Sequence, residues 1–270
     1  MTNGCFMASI RLQIKSNKMK KRTLSEIESF LKVDFTYGDT LWLTSGYTLR
    51  KLVGILGMAL PLLLWLVLVI NNGHTAPLES ISHYFFTRAS SVFSIILGTI
   101  AIFLMVYKGE KSVDFYVSLT AGFFALCVLL FPTGNITSIC GDVTKKYSVT
   151  ILPASTLREN FHYASAGIFL LCLAGMSMFI FTKSDKPKNS RGARKILRNR
   201  IYRTCGVIMA ASMLVILSGM LELIPPAYYD SHHITFWMET LAVESFGFSW
   251  LVKGRTLLRD REEEEVRSER

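Results

Sequence analysis

The sequence predicts an all-α, polytopic membrane helix bundle of six transmembrane helices with both termini on the cytoplasmic side. Three observations carry that reading. Half of the 270 residues are apolar. They run in six continuous blocks rather than in the scattered pattern of a soluble core, and basic residues crowd the segments on one side of those blocks.

The six blocks lie at 52–71, 88–107, 114–132, 162–182, 204–224 and 235–252. Each approaches or exceeds the roughly 18 to 20 residues that a helix rising about 1.5 Å per residue needs to cross a hydrocarbon core of about 30 Å. The first is longer than a signal-peptide apolar region and no small-x-small cleavage pattern follows it, so it reads as a retained span. The membrane domain is then 52–253, between a cytoplasmic segment 1–51 and a charged tail 254–270, "RDREEEEVRSER" at its end, with no apolar stripe.

Orientation follows from charge. With the N-terminus inside, only Arg88, Lys145, Lys146 and Arg158 fall outside, and the other 26 of 30 basic residues are cytoplasmic. The formal charge of +10 is thereby a topology signal. The loop "KSDKPKNSRGARKILRNRIYR" is expected to touch anionic headgroups, and with no aromatic interleaving no nucleic acid is expected as a partner.

Before the first span, "RTLSEIESFLKVDF" places Leu24, Ile27, Phe30 and Leu31 at helical spacing behind a Thr23/Glu26 capping box, predicting a short amphipathic interfacial helix near 23–35. "MKKR" at Met19 is an alternative start. Gly54, Gly57 and Pro61 in the first span, with Gly98, Ala121, Gly122, Ala164, Ala166, Gly167 and Gly175 later, predict close helix packing. The outer loop 133–161 carries a glycosylation sequon at Asn135, relevant only in a eukaryotic host. Cys127, Cys172 and Cys205 lie in spans, Cys5 near the N-terminus and Cys140 in that loop, a distribution that gives no disulfide framework.

Chemistry concentrates at the outer helix mouths. All five histidines, His74, His83, His162, His232 and His233, fall on the non-cytoplasmic side, in one layer with Glu79, Ser80, Ser82, Tyr84, Tyr163, Tyr228, Tyr229 and Asp230. Three imidazoles and a water make a tetrahedral zinc site, and His83, His162 and one of His232 or His233 are the candidate ligands. Glu239, Asp142 or Asp230 is then a candidate base or orienting carboxylate. Against this, His and Tyr suit headgroup depth on their own, and Ser80 or Ser82 suits a helix cap.

The sixth span, "FWMETLAVESFGFSWLVKG", holds Glu239 about one turn inside and Glu244 roughly 13 to 14 Å deep. An acid at that depth costs on the order of 2.5 to 3.5 kcal/mol, so it is expected to be neutral, paired or facing a polar cavity. Five residues apart is about 140° around a helix, so the two do not share a face. Glu222, at the outer end of the fifth span, is shallow enough to reach water.

The segments "SISHYFFTR", "YKG", "NFHYASAG", "NRIYRTCG" and "FWMETLAVESFGFSWLVKG" resemble a family of small bacterial six-span inner-membrane proteins without an assigned function. The resemblance covers most of the chain after Leu52. It implies the six-helix fold and a multi-pass inner-membrane location, and carries no activity. The chain departs from that pattern at Ser90, Ser91 and Ile95, where the family has a further charged pair and a glycine. A more distant analogy, Ser and His at helix mouths, is to the CREST membrane hydrolases such as alkaline ceramidases, which have seven spans.

Two functional expectations stand beside each other. The first is a non-enzymatic binding, sensing or transport-accessory protein, in which His83, Tyr84, His162, Tyr163, Glu239 and Glu244 bind a ligand or protons. The alternative is a metal-dependent lipid or headgroup hydrolase in the outer half of the inner membrane, with Glu239 and Ser82 as catalytic candidates and zinc as its cofactor. Membrane lipids are the expected partners in both. No redox cofactor, nucleotide loop or covalent-nucleophile motif is visible.

Overall fold

The computed structural model describes residues 46–136, 148–184 and 192–258. The amphipathic helix expected at 23–35, Met19, Asp142, Lys145, Lys146, Cys140 and the end of the tail lie outside them. The chain divides into two units, Met1–Leu49 and Arg50–Arg270, and the candidate site lies wholly in the second.

The described residues are helical, with no strand beyond one isolated bridge between Thr87 and Ser148. In chain order the helices are α1 (Gly46–Asn72), α2 (Ser90–Val106), α3 (Ser112–Leu130), α4 (Thr156–Gly175), α5 (Ala193–Met220), the short α6 (Pro226–Ser231) and α7 (Ile234–Lys253). A 3₁₀ turn, Ile81–Phe86, precedes α2, and α4 runs on as one π-helical segment, Met176–Ile180.

Among the described residues, four helices are long and apolar enough to cross a membrane: α1, α3, α4 with its π segment, and α5. The other two expected spans differ for physical reasons. α2 has 17 residues instead of the expected twenty: Thr87 closes the preceding turn, α2 begins only after Ala89, and it ends at Val106. The Thr87 hydroxyl donates to the Tyr84 carbonyl (2.9 Å) and accepts from the Ala89 amide (3.1 Å), the backbone competition that short hydroxyl side chains make at helix ends. α7 has 20 residues, but its acids and serines dilute its hydropathy. α5 starts at Ala193 rather than 204, so the basic end of the 183–203 loop is helix.

The helices pack mainly on their neighbours in sequence: α2 on α3, α3 on α4, α4 on α5, and α5 on α7. α1 closes on α7 where Gly54 meets Gly247. A Cβ on Gly247 would lie 2.7 Å from the Gly54 carbonyl oxygen, so only glycine permits this approach. Gly122 has the same use against α2, with 2.6 Å from such a Cβ to the Ala101 oxygen. The packing expectation fails at Gly167 and Gly175, where a Cβ would meet nothing within 4 Å.

The two ends of the bundle differ. At one, Asp114 pairs with Lys183, and Lys253 lies 3.5 Å from Glu110. At the other, the Asn135 amide donates to the Leu152 carbonyl (2.7 Å), and Arg158 ties the start of α4 to the Pro132 carbonyl at 3.1 Å. That second end carries the histidines.

Candidate functional site

The site is organised by the turn Ile81–Phe86. Ser80 stands before it with extended backbone and does not cap it. Its hydroxyl instead meets His83 Nδ1 at 2.7 Å, and His83 Nε2 lies 3.3 Å from a Glu79 carboxylate oxygen. A carboxylate only accepts, so Nε2 carries the ring proton and Nδ1 accepts from Ser80. Burial, and next the His162 imidazole, hold His83 down to about 4, so it is neutral near pH 7.

The turn points its polar residues inward. Ser80, Ser82, His83 and Tyr84 are all buried, Tyr84 completely. This corrects two expectations: Ser80 and Ser82 are not capping residues, and His83 and Tyr84 do not sit at the surface among headgroups. Tyr84 packs against Phe236 of α7, ring centroids 6.1 Å apart, and burial pushes its hydroxyl up to about 12. Tyr163, 41 % exposed, and Tyr228 do fit the surface reading.

Two other helices reach the turn. From the second turn of α4, His162 places Nε2 3.1 Å from Ser82 Oγ and Nδ1 2.8 Å from the Phe131 carbonyl oxygen. Phe131 ends α3, where carbonyls lack helical partners. That carbonyl only accepts, so Nδ1 bears the proton, Nε2 of the neutral ring holds the lone pair, and the Ser82 hydroxyl donates to it. From α7, Glu239 Oε2 accepts the Ile81 amide at 2.6 Å, pinning the backbone next to Ser82.

Beneath these groups lies a cavity of ≈ 60 Å³ between the helices. Ser82 and Glu239 are its polar wall residues; the rest of the lining is apolar, including Leu60, Leu97, Ala166 and Phe246. Glu244 is not part of that lining, as the 140° separation from Glu239 requires.

Of the predicted site residues, the structure therefore brings together Ser82, His83, His162 and Glu239, with Tyr84 behind them. It separates the remaining histidines. His232 bonds the Tyr228 carbonyl at 2.8 Å and lies on the Tyr228 ring, centroids 4.2 Å apart, while His233 starts α7 in a left-handed conformation beside His74. Among the described residues, no group of three or more His, Cys, Asp or Glu side chains is gathered closely enough to hold a metal ion. The Phe131 carbonyl, the Ile81 amide and the cavity were beyond sequence reasoning, since two are backbone atoms and the third is a property of packing.

No protein-family model, curated protein or solved structure matches this chain.

Proposed function

We propose that this is a six-span protein of the bacterial inner membrane, with N- and C-termini in the cytoplasm, that binds the acyl portion of a small amphiphile. The chain seats its apolar part in the cavity and its polar end against Ser82 and Glu239. The observation that carries this is the cavity itself, with two polar residues on one wall and apolar side chains elsewhere. Ligand sites combine an apolar lining with a few placed polar groups in this way.

Supporting the six spans, 17 residues of α2 rise about 25 Å and 20 of α7 about 30 Å. On α7 the polar Ser245 and Ser249 are buried, while Trp237 and Leu241 face outward, as a span presenting apolar side chains to lipid requires. Supporting the orientation, 26 of 30 basic residues lie on the side assigned to the cytoplasm.

At about 30 Å³ per water-sized group the cavity takes about two, which matches the two carbons beyond the carbonyl of a short acyl group. The experiment is binding of a fluorescent short-chain acyl probe to the full-length protein in lipid nanodiscs. Saturable binding that Ala166→Phe abolishes, by filling the cavity, supports the reading. Binding that is unaffected by Ala166→Phe, or absent from the wild type, overturns it.

A further inference from the structure

We propose that Ser82 and His162 are a nucleophile and general base that cleave a carboxylic ester bound in this cavity, an inference that rests on the acyl-binding reading above. A buried serine–histidine contact by itself is an ordinary structural bond. Here three further features accompany it, and each is one that nucleophilic catalysis needs.

First, the histidine is fixed in the useful tautomer. Phe131 O accepts a hydrogen bond from Nδ1–H at 2.8 Å, leaving the Nε2 lone pair aimed at Ser82 Oγ, 3.1 Å away. In a serine triad a carboxylate does this; a backbone carbonyl sets the same tautomer and orientation, with less stabilisation of the imidazolium that forms. Turnover is therefore expected to be slow. Second, Ser82 also lines the cavity, so the nucleophile borders the space where an acyl chain sits. Third, the turn carrying Ser82 is anchored: Glu239 holds the Ile81 amide at 2.6 Å, one residue away. Glu239 is thus a positioning residue, and Ser82 and His162 are the catalytic ones.

The chemistry balances with water as the only co-reactant. Ser82 Oγ adds to the ester carbonyl carbon as its proton passes to His162 Nε2. The bond from that carbon to the alkoxy oxygen breaks, and the alkoxy oxygen leaves as an alcohol carrying the proton from Nε2. Water then gives a proton to Nε2 and its oxygen to the acyl carbon. The Ser82–acyl bond breaks, Ser82 regains the proton, and a carboxylic acid is released.

The test uses full-length protein in nanodiscs and an alkyl fluorophosphonate, which a base-activated serine attacks at phosphorus, displacing fluoride. The expected result is a stoichiometric adduct mapped to Ser82 by mass spectrometry. It is absent in Ser82→Ala, slowed on the order of 10²-fold or more in His162→Ala, and blocked in Ala166→Phe. The p-nitrophenyl ester of propionate should be hydrolysed with the same dependence on the three variants. Circular dichroism and thermal melting of Ser82→Ala and His162→Ala in the same nanodiscs serve as the folding control. No adduct at Ser82 in a wild-type protein that binds the acyl probe overturns the ester-cleavage inference and leaves the binding reading standing. Loss of probe binding in the wild type overturns both. An adduct that forms equally fast in His162→Ala overturns the base role.

Discussion

Ser82 and His162, 80 residues apart in the chain, meet at 3.1 Å, and Ser82 also lines an apolar cavity. The hydroxyl donates and the ring accepts, because the other ring nitrogen keeps its proton and donates it in a hydrogen bond to the Phe131 carbonyl at the end of α3. Around this contact the rest of the site has an order of importance that substitutions can measure.

Glu239 should act chiefly through the Ile81 amide. Glu239→Ala leaves that N–H without its partner and is expected to cost about 1–3 kcal/mol. Glu239→Gln keeps an acceptor oxygen and should cost clearly less. Unfolding of the two variants in mild detergent, followed by circular dichroism, distinguishes them, and equal losses would show that the carboxyl matters for another reason.

Stability should depend on pH through His83. Its folded value of about 4 lies below the unfolded value near 6.5, so between those limits the unfolded chain binds a proton that the folded protein refuses. The contribution is complete above about pH 6.5 and declines as pH falls toward about 4, by up to roughly 3 kcal/mol. Glu79, 3.3 Å from Nε2, works the other way, but it is more exposed than His83 and burial dominates. Melting temperatures measured from pH 7.5 to 4 should fall in the wild type and flatten in His83→Asn; parallel curves would remove His83 as the source.

Glycine positions should divide sharply. Gly247→Ala puts a methyl 2.7 Å from the Gly54 carbonyl and 2.6 Å from Met58 Cγ, and should lower stability by about 1–3 kcal/mol. Gly167→Ala meets open space within α4 and should be neutral or stabilising by about 0.5–1 kcal/mol. The same detergent unfolding assay reads both.

Metal removal separates the two hydrolytic chemistries. Both ring nitrogens of His162 and of His83 already have partners, so dialysis against a strong chelator should leave thermal stability and Ser82 labelling unchanged. Stoichiometric zinc in the purified protein, with labelling or stability lost on chelation, would restore the zinc-dependent reading.

Much of the frame was legible in advance. Continuous apolar blocks locate the helices, because a helix needs a set length of apolar residues to replace its contacts with water, and the charge of each connecting segment is countable along the chain. Glu239 was legible too, as an acid too costly to place in an apolar span without a use. The boundaries at Ser90 and Ala193 were not, because Thr87 rewrites the backbone hydrogen bonding locally and the helical start of α5 is built from polar residues that hydropathy cannot see.

The histidine layer was legible only as a layer. A sequence gives depth along each helix and, through periodicity, one helix's own faces, so it placed five histidines at one level and left His83, His162 and one of His232 or His233 as the candidates to meet. Which ones meet depends on how the helices are rotated and how closely they approach. Gly54 against Gly247 and Gly122 against α2 set those approaches to within a van der Waals contact. Tertiary structure alone then decided that "SISH" folds inward as a 3₁₀ turn, that it takes its partners from α4 and α7, and that His232 and His233 stay apart from it. The physical reason is that hydrogen bonds act over about 3 Å, while the residues they join here are up to 158 positions apart in the chain.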